Sequence, residues 1–480
     1  MTGTATRAQR SPAMKLLFVS LIAAALTVPL MLVYALVYDR QNQAATAQAE
    51  INSGWGGPQV LSGPIIVVPF RTTETQTVTE NGKQVSRATE VEKLFYISAA
   101  THHVTTQVNP EERHKSIYRS VLYSAQVKGS AMFALPPDLE RYGVTRERLL
   151  WDRAELRLGI SDARGLTSGG TVTAGGKPLQ VQPGKGPAAS GGQGFFAFLN
   201  WDGSGELAVD YAYGLRGARS LSVVPRGGST RWDVASSWPS PSFSGGFLPE
   251  TRELADSGFH ASYRVDKLAL GQPPVGMADF AAPQTDQDEH ESGYMALRKP
   301  SADLAAGGAT EVVDGTSQSL TVNLIEPVNL YSKVNRSVKY GFLFIGFTFL
   351  TFLLFDIIAG ARVASAEYLL TGVALVLFFV LLLALAELVG FTGAYLLASG
   401  ATIGLLSAYS AAVLKTWRRG GFIGSLLVGL YALLFVLLNL EAWSLLIGAL
   451  LLFVALAGVM YATRRVDWTA VGQPAGDAAG

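Results

Sequence analysis

Hydrophobic positions along this chain follow two regimes. Six stretches are apolar on every face, at residues 16–38, 340–358, 368–385, 391–414, 422–440 and 443–463. Between the first and second lies a long region where apolar residues come singly or alternate with polar ones. A helix needs ~20 mostly apolar residues to cross the ~30 Å hydrocarbon layer, where lipid offers backbone groups no partner. The pattern therefore predicts six membrane-spanning helices. The last five are joined by residues 359–367, 386–390, 415–421 and 441–442, connections too short to hold domains. The tightest requires an antiparallel helical hairpin. A cleaved signal peptide is the alternative for the first run, with Ala45-Thr46-Ala47 as a passable small-residue site. Signal h-regions span only ~7–15 residues, so the 23 residues of this run favour an uncleaved anchor.

The intervening region has a β texture. Residues 116–133, 206–224, 262–270 and 320–331 are rich in Val, Leu and Tyr and alternate, in part, with polar residues. Partial alternation with frequent Gly and Pro turns predicts antiparallel sheets with one wet face. Residues 165–194 hold ten glycines. Within them 172–181, centred on Gly175-Gly176, reads as a hairpin, and the rest as a flexible loop. Residues 39–52 read as a polar helical stalk continuing the first span, and 111–118 as a short helix. The expected body is a β-sandwich, with a division into two stacked lobes left open.

Composition adds the orientation. Charged residues make up 16% of the 480 residues, against ~25% for a soluble domain. The shortage is concentrated after residue 339: residues 340–463 carry only Arg362, Lys415, Arg418, Arg419, Asp356, Glu367, Glu387 and Glu441. Residues 39–339 hold 29 basic and 31 acidic side chains, a net of −2. Lys and Arg favour cytoplasmic loops. An inside amino terminus places Arg7, Arg10, Lys15, Arg362, Lys415, Arg418, Arg419, Arg464 and Arg465 inside, and leaves none in the short outer loops 386–390 and 441–442. Arg336 and Lys339 oppose this, but they adjoin a long domain, and long domains translocate largely regardless of charge. The expected order is a cytoplasmic segment 1–15, a first span 16–38, an outer β-rich domain 39–339, a five-helix bundle 340–463 and a cytoplasmic tail 464–480.

Candidate chemistry is sparse. The near-neutral polar part lacks the basic face of a nucleic-acid binder. Zero cysteines exclude disulfides, thiol catalysis and Cys metal sites. Phosphate-cradle, nucleophile-elbow and zincin motifs are missing. His102 and His103 alternate across a strand and cannot chelate one ion together. A metal pair of His103 and His114, or a calcium loop at residues 286–291, is weaker than the reading of surface histidines and a solvated acidic loop. Glu387 and Glu441 are the acidic residues of the outer loops and form a candidate polar site at the membrane. No charge lies mid-span, where ionisable residues are functional by default. Gly400 and Gly404 form a small-residue packing motif. The segment from Trp238 to Pro249 carries Trp238, Pro239, Pro241, Phe243, Phe247 and Pro249. It cannot be a central strand, because proline removes ladder donors. Its aromatics read either as pins over the core or as a ridge for a partner. Pins are favoured, with Phe243, flanked by serines, the best candidate for the ridge.

At this segment and in the membrane half, the sequence resembles the CreD family of bacterial inner-membrane proteins. The matching residues are Ser237-Trp238-Pro239-Ser240-Pro241-Ser242-Phe243, Gly246-Phe247-Leu248-Pro249-Glu250, Gly258-Phe259-His260-Ala261 and Glu326-Pro327-Val328-Asn329-Leu330-Tyr331. They continue with Arg336-Ser337-Val338-Lys339-Tyr340, Glu367-Tyr368-Leu369-Leu370, Ala394-Tyr395-Leu396-Leu397-Ala398-Ser399 and Thr463-Arg464-Arg465-Val466-Asp467-Trp468. Leu61-Ser62-Gly63-Pro64-Ile65 is similar to the family's Gly-Pro strand. Ser240 stands where the family usually has histidine, and Asn335 where it has glutamate, so neither position carries the family's protonatable group. The resemblance implies an envelope-integrity protein of the inner membrane, linked to colicin tolerance and a carbon-source-responsive two-component regulon. It brings no catalytic residues. The expected function is non-enzymatic, with the lipid bilayer and an envelope component as partners and no cofactor or nucleic acid. A transporter or membrane enzyme with a site at the outer mouth of the bundle is the alternative, because a mere anchor needs only one helix.

Overall fold

The computed structural model describes residues 12–80, 83–167, 170–283, 313–324, 330–358, 364–439 and 444–464. The chain forms two compact units. One comprises Met1–Thr46 with Val328–Gly480, the other Ala47–Pro327.

The second unit is a two-sheet β body. Its nine-stranded sheet runs, in order, Pro241–Gly245, Leu320–Leu324, Ser220–Val224, Gln59–Glu80, Glu155–Ile160, Gly194–Phe198 and Gln182–Pro183. Lys83–Ser98 also pairs with Gln59–Glu80, and Val275–Gly276 pairs with Lys83–Ser98. The eight-stranded sheet runs Thr251–Ala255, Gly258–Val265, Ser229–Ser236, Thr101–Lys115, Tyr118–Phe133, Leu207–Ala218, Thr171–Ala174 and Lys177–Pro178. One continuous apolar core joins them, drawing Ile66, Phe70, Phe95 and Ile97 from the first sheet and Tyr123, Val127, Trp232 and Tyr263 from the second. The lobes left open by the sequence are thus one sandwich. Residues 101–109 alternate strictly between exposed and buried, because a strand sends successive side chains to opposite faces. Glu155–Ile160 is instead buried throughout. Both faces of the nine-stranded sheet are covered there, so its two charges are internally paired: Arg157 donates to Glu155 at 3.0 Å, and Lys185 Nζ lies 2.5 Å from the same carboxylate.

Several local expectations change. Residues 111–118 form no helix. They are the tip of the hairpin between Thr101–Lys115 and Tyr118–Phe133, registered through Lys115↔Tyr118, with Ser116 at φ 57°. The polar tip imitates a helix in composition, but the cross-strand ladder decides it. Arg219, at φ 66°, divides the stretch 206–224 into two strands that belong to different sheets. The strand expected through residue 270 ends at Val265, and Lys267–Leu270 is a short helical turn. The strand expected through residue 331 ends at Leu324 among the described residues, and Leu330 already opens a helix. Gly175 and Gly176, both at positive φ, turn the expected hairpin, whose arms are Thr171–Ala174 and Lys177–Pro178. Beyond it the glycine-rich stretch is held in place: Ser190 Oγ lies within hydrogen-bond reach of Pro187 O and Gln193 O, at 2.8 and 2.7 Å. Ala188 N–H donates to Asp279 Oδ2 at 2.6 Å.

The first unit is helical. The opening helix, Pro12–Ser53, includes the stalk expected at residues 39–52. Among the described residues, three helices are long and apolar enough to cross a membrane: Leu16–Asn52, Ser365–Val413 and Trp417–Asn439. Gly341–Ile358 and Ser444–Thr463 are further apolar helices, and Leu330–Lys339 is a short amphipathic one. Gly390, at φ 77° and ψ 167°, breaks Ser365–Val413. The rings of Phe378 and Tyr395 lie 5.7 Å apart across the break. Seventeen residues of straight helix would separate them by ~25 Å, so the chain reverses at Gly390. Phe344, Phe378 and Tyr395 all pack around Tyr431. The Tyr395 hydroxyl donates to Tyr431 O at 2.7 Å. Leu26 of the opening helix fills the space left by Gly372, where a Cβ would clash with it. Gly400 and Gly404 have nothing within reach of a Cβ among the described residues, so the expected small-residue motif packs against none of them.

Candidate functional site

Both expected sites meet the structure differently from their sequence pictures. Pro241–Gly245 is an edge strand that, among the described residues, pairs only with Leu320–Leu324. Proline is compatible with that position because an edge leaves one row of backbone groups unpaired. Trp238, Phe243 and Phe247 are partly buried and pack on the sandwich core. The Phe243 ring meets Phe259 edge-on at 5.9 Å and Tyr263 at 6.4 Å. Phe243 and both flanking serines are half-buried, so the serines do not mark Phe243 as the exposed residue expected of a ridge. Pro239 is exposed and Pro241 and Pro249 are half-buried, while Leu248 is the large apolar side chain that this segment leaves in solvent.

At the helical unit, the Tyr331 hydroxyl donates to Glu387 Oε1 at 3.2 Å. Lys333 Nζ donates to Asn439 Oδ1 at 2.9 Å and stands 5.2 Å above the Phe391 ring. The short helix Leu330–Lys339 thus ties down the helix ends around Gly390, and Glu387 is part of that tie. Glu441 lies outside the described residues. Glu367 serves a helix start, accepting from the Ala364 N–H at 2.7 Å, where a carboxylate offsets an orphan donor and the helix dipole.

The histidines separate as strand alternation requires. His102 is buried and shares a 2.8 Å hydrogen bond with the Tyr211 hydroxyl. Burial, aided by the adjacent His103, pushes its pKa down to about 4. His103 lies on the opposite, wet face, with Nε2 2.7 Å from Asp233 Oδ2. Burial works against ionisation of Asp233, yet hydrogen bonds from Ser262, Arg231 and His103 bring its pKa down to about 2. His114 sits eleven residues along the same strand, ~36 Å away at ~3.3 Å per residue, so His103 and His114 cannot share a metal. The stretch 286–291 lies outside the described residues.

One concavity was not foreseen. It lies on the wet face of the eight-stranded sheet, has a volume of about 390 Å³, and is lined by residues that include His103, Lys128, Asp210, Thr171, Thr173 and Ala212. Its residues come from four strands that lie far apart in sequence, so only their registers bring them together.

The decisive comparison is with known families. The chain matches "Inner membrane protein CreD" over residues 11–469. It is 31% identical over 455 residues to the inner membrane protein CreD of Escherichia coli K12, covering 94% of this chain and 92% of that protein. The chain belongs to the CreD family. CreD membership, with the apolar helices, makes it a membrane protein of an inner-membrane family, in keeping with the segments that carried the resemblance. Among solved structures, the M1 zinc metallopeptidase of Deinococcus radiodurans aligns at 9% identity, covering 67% of this chain and 92% of that one, with a TM-score of 0.19. A mutant of the same enzyme aligns at 7% identity over 67% and 93%, with a TM-score of 0.21. Likeness at that level carries no argument about the fold or activity of a CreD protein.

Proposed function

We propose that this protein is a non-enzymatic inner-membrane component that supports envelope integrity by holding an envelope component through its β-rich unit. In this reading the chain crosses the membrane six times, both termini are cytoplasmic, and the β unit, inserted between the first and second spans, is periplasmic. The break at Gly390 supports reading Ser365–Val413 as two spans. The observation that carries the functional reading is the β unit itself. It is a large sandwich with its own continuous core, far more than an anchor requires, and it presents a broad polar sheet face. The tie between Tyr331 and Glu387 supports a structural part for Glu387 and weakens a transport site at the outer mouth.

The reading is tested by crosslinking the full-length protein in intact cells through photoreactive residues on the β unit, followed by purification. Recovery of one envelope component in stoichiometric amounts is expected. Recovery of neighbours in proportion to their abundance alone would overturn it. Topology is tested with cysteines introduced into a chain that has none. Positions 184 and 441 should react with an impermeant thiol reagent after the outer membrane is opened, and positions 418 and 477 should not. Labelling at 418 with none at 441 would reverse the orientation.

A further inference from the structure

The wet face of the eight-stranded sheet is ordered by register. Arg231, His103, Ser130, Asp210 and Thr173 lie in one cross-strand row. Asp233, Thr105, Lys128, Ala212 and Thr171 lie in the next. Side chains directly opposite one another on adjacent strands stand ~4.5–5.5 Å apart. The rows therefore form a grid of hydroxyl and charged groups, and the one small side chain in the second row, Ala212, lines the 390 Å³ concavity between Lys128 and Thr171. That volume lies in the ~300–1,000 Å³ range of small-molecule sites.

Three features restrict what fits. First, the inner strands of the grid, Thr101–Lys115, Tyr118–Phe133 and Leu207–Ala218, are each paired on both sides. No backbone edge is available there for an added peptide strand, so recognition falls to side chains. Second, the charges balance: Arg231 and Lys128 stand against Asp210 and Asp233, which disfavours a polyanion. Third, the groups are unequally engaged. Asp233 is occupied by His103 and Arg231. Lys128 and Asp210, on adjacent strands of the rim, have no ion-pair partner among the described residues. An unengaged ammonium and carboxylate beside four hydroxyls offer a donor, an acceptor and groups that serve as either. Hydrogen bonds to charged groups are the stronger ones.

We infer that this concavity is a binding site for a neutral or zwitterionic polyhydroxylated ligand, a glycan. Asp210 accepts from its hydroxyls, Lys128 donates to its ring or carbonyl oxygens, and the Thr and Ser hydroxyls complete the contacts over Ala212. This deepens the reading of the β unit as the binding part of the protein, on which it rests, by naming the chemistry of what is held.

The test uses the full-length protein in a detergent without a sugar headgroup, titrated with an N-acetylglucosamine tetramer and followed by saturation-transfer NMR and calorimetry. Saturable binding is expected. Asp210→Ala and Lys128→Gln should each weaken it at least tenfold, and Ala212→Trp should abolish it by filling the concavity that Ala212 lines. Arg71→Ala, remote from the concavity, should leave it unchanged. Matching thermal midpoints among the variants show that each is folded. All the substituted side chains face solvent or the concavity, and Lys128→Gln keeps the size of the side chain, so at least one folded variant is available. Absence of saturable binding, or binding indifferent to Asp210→Ala, Lys128→Gln and Ala212→Trp, would overturn the inference. Crosslinking separates the two failures: an envelope protein recovered without glycan binding leaves the broader reading standing and removes this one.

Discussion

At the scale of single residues, burial and pairing decide what each side chain does. His102 is the clearest case. Its pKa stands at about 4 in the folded protein against ~6.5 when unfolded. Between these values the unfolded chain binds the extra proton, so the stability present above pH 6.5 is lost as pH falls toward 4. The difference amounts to ~3 kcal/mol. Melting of the full-length protein in detergent from pH 7 to 4 should show this decline, and His102→Leu should flatten it relative to wild type. Equal slopes for both proteins would remove His102 from the account. Phe243 gives a second test. Its ring packs against Phe259 and Tyr263 but is only partly buried. Phe243→Ala should therefore cost about 2–3 kcal/mol, below the ~3–5 of a fully buried phenylalanine. Leu248→Ala, five residues on at 68% exposure, should shift stability by less than ~0.5 kcal/mol. Proteolysis under graded denaturant reads both, and an unperturbed Phe243→Ala protein would show that the ring pins nothing.

At the scale of elements, the reversal at Gly390 depends on backbone freedom. Its φ of 77° is strained for any residue with a Cβ, although no atom of the described residues stands where that Cβ would go. Gly390→Ala should cost about 1 kcal/mol or more through conformation alone. Gly429 also has empty space about it, but it sits inside the helix Trp417–Asn439 without a positive φ. Gly429→Ala should be neutral or stabilise by up to ~1 kcal/mol. Thermal inactivation of the two variants in detergent distinguishes them. Equal effects would mean that packing, and not the turn, governs this position. Strand elements obey the same division between local preference and partner. The Gly175-Gly176 hairpin was readable because two consecutive positive-φ residues define its turn. The polar tip at Ser116-Ile117 was not readable, because its conformation is fixed by a ladder fifteen pairs long.

At the scale of the whole molecule, Glu387 and Glu441, the two acidic residues of the proposed outer loops, provide the contrast between scaffold and transporter. Glu387 is engaged by Tyr331. A structural tie tolerates a neutral isostere, because an amide oxygen still accepts the tyrosine proton, whereas proton or cation binding needs the charge. Glu387→Gln combined with Glu441→Gln should therefore leave complementation of an envelope defect intact at normal protein level. Loss of complementation with unchanged level would establish a charged site at the mouth of the bundle and displace the scaffold reading.

The apolar runs, the β texture between the first and second, the Gly175-Gly176 turn and the family were determined by the sequence alone. Each depends on local composition, on a short period or on an ordered motif, and lipid solvation acts on every residue of a run independently of the fold. The tertiary structure alone decided that one core joins two sheets, that the Phe243 ring packs on that core, that Glu387 is tied to Tyr331, and that Gly400 and Gly404 pack against nothing among the described residues. It also assembled the concavity from Thr101–Lys115, Tyr118–Phe133, Thr171–Ala174 and Leu207–Ala218. Its residues carry no motif, because their proximity is set by strand register. A slip of one residue in any ladder would send His103, Lys128 or Asp210 to the opposite face.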